Sequence, residues 1–494
     1  MGDPQLQNIR ARQEDLLARR LRGEYESAVL HLSELVNNSL DTPSHVATVR
    51  VEGSKTTRKS FLASLINPHL ASPSLAPDVS TFGSVLKATR DMGHVLQETD
   101  IFSAVNAKIE RSREPLAGPN DVDVIFQTRE KGRYYLKTST EVGNNEGNAS
   151  ATARIRNAFG GAETIEASAS VGTKTRRSFN ASLSAPLTSA LDVYGNVSVF
   201  ALDRDNSAFA SCTEGLRGLK AALKTGSRTT GMHELGYEGV YRHIAGLLPS
   251  ASISMRESAG CTFKSALFHS WLRDTRDGAI TGSRGSFTKV SQEIAGLGGD
   301  VAFYKAEAEG RICRAVYPGT SVSLSARSGF LRSFSGPSSF SDRFQLGGPL
   351  SVRMFQANSL GPRDSADSLG GDIYWALGLS VISDIPKRPH WPLKSHFFVN
   401  AGQLHPLLPG LSPCPPLHAH NHTQSLTSLV SHVGKSLQDS VTSCISQPTI
   451  SAGVGLIYNF EPIRVELNFG VPLVAVKSDG CRKGLQVGMG IDFL

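Results

Sequence analysis

The sequence predicts an all-β transmembrane barrel of about sixteen antiparallel strands behind a small N-terminal α+β domain. From Lys131 onward, short runs alternate strictly between apolar and polar residues and are separated by Gly, Asn, Ser or Asp clusters. Several of the polar faces carry charge, and the runs reach about ten residues, enough to cross a bilayer at a tilt. Ahead of them, residues 45–128 mix strand-like and helix-like patterning. Alternation alone gives a sheet one apolar and one polar face, and two architectures satisfy it. A soluble sandwich turns the apolar face inward, whereas a membrane barrel turns it outward and wets its lumen. Charge and run length tilt the choice towards the barrel, and one strand per roughly 20–25 residues sets the strand number.

Residues 1–40 read as a charged, amphipathic helical arm in which Leu16, Leu17, Leu21, Val29, Leu30 and Leu35 interrupt Arg and Glu. In His45–Glu52, Ala47, Val49 and Val51 oppose Thr48, Arg50 and Glu52, and the run stops at the turn signal Gly53-Ser54. Thr57–Ile66 is helix-like and is expected to end before Asn67-Pro68. Thr81–Gln97 puts Phe82, Val85, Leu86, Met92 and Leu96 on one helical face. Two strand-like runs, Phe102–Ile109 and Asp123–Thr128, complete a β-α-α-β-β order. The alternating region occupies 131–494, with clear runs at Arg133–Val142, Leu191–Ala201, Ile463–Val471 and Leu485–Phe493. Two segments break the rhythm as long loops: Gly/Pro/Ser-rich Phe344–Leu369 and proline-rich Leu404–Gln424.

Composition excludes several classes. Lys and Arg exceed Asp and Glu by 51 to 44, a mild excess with no basic patch interleaved with aromatics, so nucleic acid is not an expected partner. The six cysteines, Cys212, Cys261, Cys313, Cys414, Cys444 and Cys481, form no CxxC pair and read as free thiols. No run of about 18 apolar residues predicts a transmembrane helix. The N-terminus, with Asp3, Glu14 and Asp15 and no apolar core, resembles neither a secretory signal nor an acid-poor transit peptide. His418, His420 and His422 beside Cys414 lack recognised ligand spacing, and Asp203-Arg204-Asp205-Asn206-Ser207 reads as a turn, so no metal site is expected. Without a GxSxG elbow or another nucleophile signature, the chain is not expected to be an enzyme, and no cofactor is implied.

The first long loop contains Leu346-Gly347-Gly348-Pro349, then Val352-Arg353-Met354-Phe355, then Leu369-Gly370-Gly371 and Tyr374-Trp375. Elsewhere stand His233-Glu234-Leu235, Gln292-Glu293 with Ala295-Gly296, Gly298-Gly299-Asp300, Asp342-Arg343-Phe344, and Phe397-Phe398 before Asn400-Ala401-Gly402. This ordered set resembles the POTRA-plus-barrel assembly family, whose bacterial member is BamA. The mitochondrial branch, the barrel subunit of the sorting and assembly machinery (SAM), is the nearer match. The resemblance runs from about residue 45 to the C-terminus. In that family a V/I-R-G-F/Y tip folds back into the barrel; here the tip is Val352, Arg353, Met354 and Phe355. The resemblance implies a wall partner for Arg353 around Asn400. Met354 stands where the family has Gly, a residue suited to positive φ, so the tip is expected to bend differently.

Gln486, Gly488, Ile491 and Phe493 fit the mitochondrial β-signal: polar, any, Gly, two of any, hydrophobic, any, hydrophobic. The resemblance further implies one POTRA domain facing the intermembrane space and a barrel in the mitochondrial outer membrane. It implies insertion of β-barrel precursors through a seam between the first and last strands. A client strand would pair by β-augmentation with Tyr134, Tyr135, Leu136, Lys137 and Thr138. Metaxin-like SAM subunits, cristae-organising complexes and membrane lipids are the further partners implied. The alternative is a passive outer-membrane channel or a translocation pore of the same superfamily.

Overall fold

The computed structural model describes residue 13 and residues 24–76, 79–115, 117–143, 146–278, 282–388, 391–407, 442–460 and 463–490. The chain divides into two compact units. The first is Met1–Arg133 with Arg156–Glu163 and Thr188–Leu191; the second is Tyr134–Ile155, Thr164–Leu187 and Asp192–Leu494. The division falls at Arg133 rather than Lys131, and two strand connections are counted with the first unit.

Within the first unit, helix α1 (Glu24–Asn38) precedes strand β1 (His45–Glu52), helices α2 (Lys59–Leu70) and α3 (Phe82–Glu98), and strands β2 (Phe102–Arg111) and β3 (Asp121–Glu130). The β-α-α-β-β order is the one the periodicities give. β3 lies in the middle, parallel to β1 and antiparallel to β2. Thr81 and Ser84 start α3 with a reciprocal capping box, Ser84 N–H donating to Thr81 Oγ1 and Thr81 N–H to Ser84 Oγ. Leu65, Val85, Met92, Leu96, Val124 and Phe126 are all buried and form the apolar interior of this unit. One expectation fails: α2 does not stop before Asn67-Pro68 but carries Pro68 in its last turn to Leu70. Proline there forgoes a single helical bond, and Ala71 N–H still closes the turn on Asn67 C=O at 3.0 Å. Of the arm, residues 1–12 and 14–23 lie outside the described residues.

The second unit is one sixteen-stranded antiparallel sheet. Its strands are β4 (Tyr134–Gly143), β5 (Glu146–Arg156), β6 (Thr164–Gly172), β7 (Thr175–Pro186), β8 (Val193–Asp205), β9 (Thr213–Ser227), β10 (Gly231–Ala245) and β11 (Gly260–Asp274). They continue with β12 (Gly285–Ala295), β13 (Phe303–Tyr317) and β14 (Thr320–Ser333). A long connection holds the two-residue strands β15 (Arg363–Asp364) and β16 (Asp367–Ser368). The sheet then resumes with β17 (Ile373–Asp384), β18 (Leu393–His405), β19 (Thr449–Phe460), β20 (Ile463–Val474) and β21 (Gly484–Gly490). Neighbours in sequence are neighbours in the sheet, with β14 pairing β17 across the long connection. β4 and β21 stand at its two ends and approach each other, with no ladder joining them among the described residues.

The side-chain pattern decides between the two architectures that alternation left open. On β20, Arg464, Glu466 and Asn468 are buried while Leu467, Phe469 and Val471 are exposed. On β10, Leu235, Tyr237 and Tyr241 are exposed, and on β19 Val454, Leu456 and Tyr458. The apolar face is therefore the outer one, as lipid requires, and a sandwich core is excluded. No described helix is long and apolar enough to cross a membrane. Some boundaries shift. Leu191 belongs to the turn before β8, with φ of 56°, because Asp192 still precedes the ladder. The first long loop spans 334–372, since β14 ends at Ser333 and β17 opens at Ile373. Leu404 and His405 finish β18, and residues 408–441, with Cys414 and the three histidines, lie outside the described residues. The five described cysteines are free.

Candidate functional site: the plug-loop tip and the closing hairpin

The long loop carries its own apolar residues into the second unit. Phe344, Leu346, Val352, Phe355 and Leu360 are buried and cluster with Leu331, Tyr374, Ala376 and Leu404 from the sheet. Single bridges join Phe344 to Gly371 and Leu346 to Leu360, folding the loop on itself. Its base is fixed by a buried ion pair, Arg242 Nη1 to Asp342 Oδ2 at 2.8 Å, and by Lys305 Nζ donating to Asp342 C=O at 2.8 Å. Near β16, Ser252 N–H donates to Asp367 Oδ2 at 2.8 Å. A loop with a packed interior holds its tip in one place.

At that tip Arg353 is fully buried. Its guanidinium grips Glu466 of β20 in a fork, Nε to Oε2 at 2.9 Å and Nη2 to Oε1 at 3.1 Å. Nη1 donates to Asn400 Oδ1 on β18 at 3.1 Å, and the guanidinium lies 5.2 Å from the Phe398 ring centre. Glu466 also meets Arg464 and accepts from Asn468 Nδ2 at 2.7 Å. Two-pronged contact between planar ions is the arrangement that best offsets the loss of water on burial. Strand alternation brings these groups to one face: Arg464, Glu466 and Asn468 are spaced by two, as are His396, Phe398 and Asn400.

The backbone of the tip is bound as closely as its side chain. Met354 N–H donates to Gln486 Oε1 at 3.0 Å, and Gln486 Nε2 donates to Phe355 C=O at 3.0 Å. Arg482 N–H donates to Met354 C=O at 2.9 Å, and Gln356 N–H to Gly480 C=O at 2.8 Å. Phe355 thereby bridges Cys481 in the β20–β21 connection. The tip is clasped by the last hairpin of the chain.

Met354 corrects one expectation. Its φ is 68°, the left-handed conformation that glycine adopts freely, so methionine preserves the bend instead of altering it. The side chain is fully buried, and a Cβ placed on Gly470 of β20 would come within 3.0 Å of its sulfur. Close packing of the thioether over a wall glycine offsets the strain at the tip.

The remaining residues singled out in the sequence fall into two places. Val352, Arg353, Met354, Phe355, Asn400 and Gln486 meet at the tip, with Gly488 opposite Glu466 in the β20–β21 ladder. Tyr134, Tyr135, Leu136, Lys137 and Thr138 lie on β4 at the other end of the sheet, Tyr134 and Leu136 with exposures of 76% and 73%. Ile491 and Phe493 lie outside the described residues. The sequence did not single out Glu466, the ion that holds Arg353; its only signal was a carboxylate between Arg464 and Asn468 on a polar face.

Residues 157–493 match the Omp85 superfamily domain. The chain belongs to the Omp85 superfamily. Across 95% of both chains it is 33% identical to a SAM50-like protein of Schizosaccharomyces pombe. It is 32% identical to the human sorting and assembly machinery component 50 homolog, covering 83% of each chain. Among solved structures, BamA from Haemophilus ducreyi lacking POTRA domains 1–3 superposes with a TM-score of 0.70 at 16% identity, over 90% of this chain and 84% of that one. That likeness bears on the fold alone. The Omp85 match takes in the plug loop, Asn400, Glu466 and Gln486 together, so the clasped tip of this chain lies within its Omp85 domain.

Proposed function

We propose that the chain folds β-barrel precursors and inserts them into the mitochondrial outer membrane by opening the seam between β4 and β21. The relatives named for sorting and assembly support the task. The observation that carries the mechanism is the sheet's ends: among the described residues β4 and β21 approach each other without a ladder, while the sheet is continuous everywhere between them. Unpaired N–H and C=O groups in hydrocarbon cost several kcal/mol each, so an edge opened there favours any strand that covers it. A client's terminal strand takes the place of β21 beside β4, main-chain bonds supplying affinity and alternate side chains supplying register. Later client strands add to the first until the new barrel closes and leaves. No bond is made or broken covalently, so the activity is not enzymatic. The N-terminal α+β unit acts as a POTRA domain on the intermembrane-space side, and metaxin-like subunits and cristae-organising complexes are the proposed companions. A passive pore requires neither the N-terminal α+β unit nor a loop tip clasped by the closing hairpin.

The test is site-specific photocrosslinking of an arrested precursor to positions 134 to 138. Capture alternating with strand period along Tyr134–Thr138 supports augmentation of β4. Uniform absence of capture there, with capture elsewhere on the chain, rules it out.

A further inference from the structure

We infer that Arg311, on the inner face of β13, is a binding site for a phosphate group carried by a ligand. The inference is independent of the seam mechanism. Along β13 the exposures alternate: Arg311 and Cys313 are buried at 8% and 6%, and Ile312 between them is 61% exposed. Arg311 therefore lies on the wet face of the sheet and not on the lipid face. Its ladder neighbours are Phe287 on β12 and Ser325 on β14, neither of which carries charge. Among the described residues it makes no hydrogen bond and no ion pair. The three arginines that act on it most strongly, Arg464, Arg276 and Arg327, repel it. Each of those three has a carboxylate of its own. Arg276 Nε donates to Asp274 Oδ1 at 2.9 Å, and Arg327 Nη2 donates to Glu309 Oε1 at 2.8 Å. Arg464 pairs with Glu466, which also holds Arg353. The carboxylates nearby are thus already engaged, and a buried guanidinium with five N–H donors calls for an acceptor from elsewhere. Charge and shape say what that acceptor is. A guanidinium among further guanidiniums sits in a positive potential that favours a dianion over a monoanion, and its planar fork matches two oxygens on one phosphorus. A phosphate monoester carries about −1.5 to −2 near neutral pH, whereas chloride or a carboxylate carries a single charge. Room for a small anion lies beside the cluster, where Arg327 lines a polar cavity of about 370 Å³ together with Lys289, Ser291 and Glu309. The phosphate offsets the repulsion between Arg311 and Arg464, and so ties β13 to β20, two strands that are not neighbours in the sheet.

The experiment uses the full chain in dodecyl maltoside micelles, in chloride buffer near neutral pH, with radiolabelled inorganic phosphate as the probe in equilibrium dialysis. The chain is expected to take up phosphate saturably. Arg311→Gln is expected to weaken uptake by about ten-fold or more, the loss of a charge-assisted contact. Arg311→Lys, which keeps the charge and loses the fork, is expected to fall between the two. Arg314→Gln, at an exposed position on the other face of the same strand, is expected to bind as the unaltered chain does. Phosphate is expected to raise the thermal unfolding midpoint of the unaltered chain and to leave that of Arg311→Gln where it is. Dialysis repeated in phosphatidylcholine nanodiscs with and without phosphatidic acid identifies the source. Uptake blocked by phosphatidic acid assigns the phosphate to a lipid headgroup, and unchanged uptake assigns it to a soluble ligand. Absence of saturable uptake by the unaltered chain overturns the inference. Equal uptake by Arg311→Gln overturns it too, as does an equal loss in Arg314→Gln, which marks general attraction to a basic protein. Should Arg311→Gln not fold, Arg311→Lys decides, and undiminished uptake by that variant overturns the inference.

Discussion

Arg353 and Glu466 have no exposed side-chain surface, so removing Arg353 leaves the buried Glu466 with Arg464 as its one remaining ion-pair partner among the described residues, and removing Glu466 takes the carboxylate from both arginines. Arg353→Ala is expected to destabilise the chain by about 3–5 kcal/mol, measured by equilibrium unfolding in urea and mixed micelles. The double variant Arg353→Met/Glu466→Gln should not recover that loss, because it also takes the carboxylate away from buried Arg464. Met354 supplies a finer test. Met354→Ala keeps the left-handed backbone and loses the packing, with an expected cost of about 2–5 kcal/mol. Met354→Gly loses the same packing and sheds the strain, so it should be the more stable of the two by about 1 kcal/mol. The reverse order would mean that φ at this position carries no strain. The family resemblance pointed to Arg353 and Asn400, and the alternation of β20 did not single out Glu466, for a physical reason. A carboxylate on the polar face of a strand looks the same whether it faces water or a guanidinium from a loop, and this guanidinium lies 113 residues away.

At the scale of elements, strand identity was legible because each strand has one wet and one apolar face. β1 has the bounds its alternation gives, with the register broken between Val46 and Thr48, and α3 buries Val85, Met92 and Leu96 of the face its periodicity gives. Helix α2 outran its proline because Leu62, Leu65 and Ile66 bury the turn before it. The interior of the plug loop stayed illegible: Phe344, Leu346, Val352, Phe355 and Leu360 have no common period, since they meet through tertiary folding. Two strand-level predictions follow from close approach and from charge. Gly453 and Gly470 face each other across β19 and β20, and a Cβ on Gly453 would meet Phe469 C=O at 2.6 Å and Gly470 Cα at 2.8 Å. Gly453→Val should therefore disrupt the last hairpins and expose the tip to protease, whereas Val454→Ala on the outer face should not. In the N-terminal unit, Glu130 accepts from Thr56 N–H at 3.1 Å and from Thr57 N–H at 3.2 Å and Oγ1 at 2.8 Å. Burial alone would raise its pKa, but the hydrogen bonds from Thr57 and Thr56 prevail and hold it below the ordinary 4.5. A depressed carboxylate stabilises the fold above its unfolded pKa and loses that contribution as pH falls through the folded value. Amide protection at Thr56 and Thr57, relative to the intrinsic exchange rate at each pH, should fall on acidification below 4.5, and Glu130→Gln should remove that fall.

For the molecule as a whole, the apolar outer face and the buried polar inner face require lipid or detergent, and the sheet has two ends that approach each other with no ladder between them among the described residues. Everything proposed about assembly depends on those ends parting. The most direct measurement locks them: cysteines at Leu136 and Met489, with exposed Cys261 and Cys481 replaced by serine, oxidised before a labelled β-barrel precursor is presented. Insertion should stop when the bond forms and return when it is reduced. Full insertion by a chain shown to be completely cross-linked would mean that precursors enter the membrane by another route.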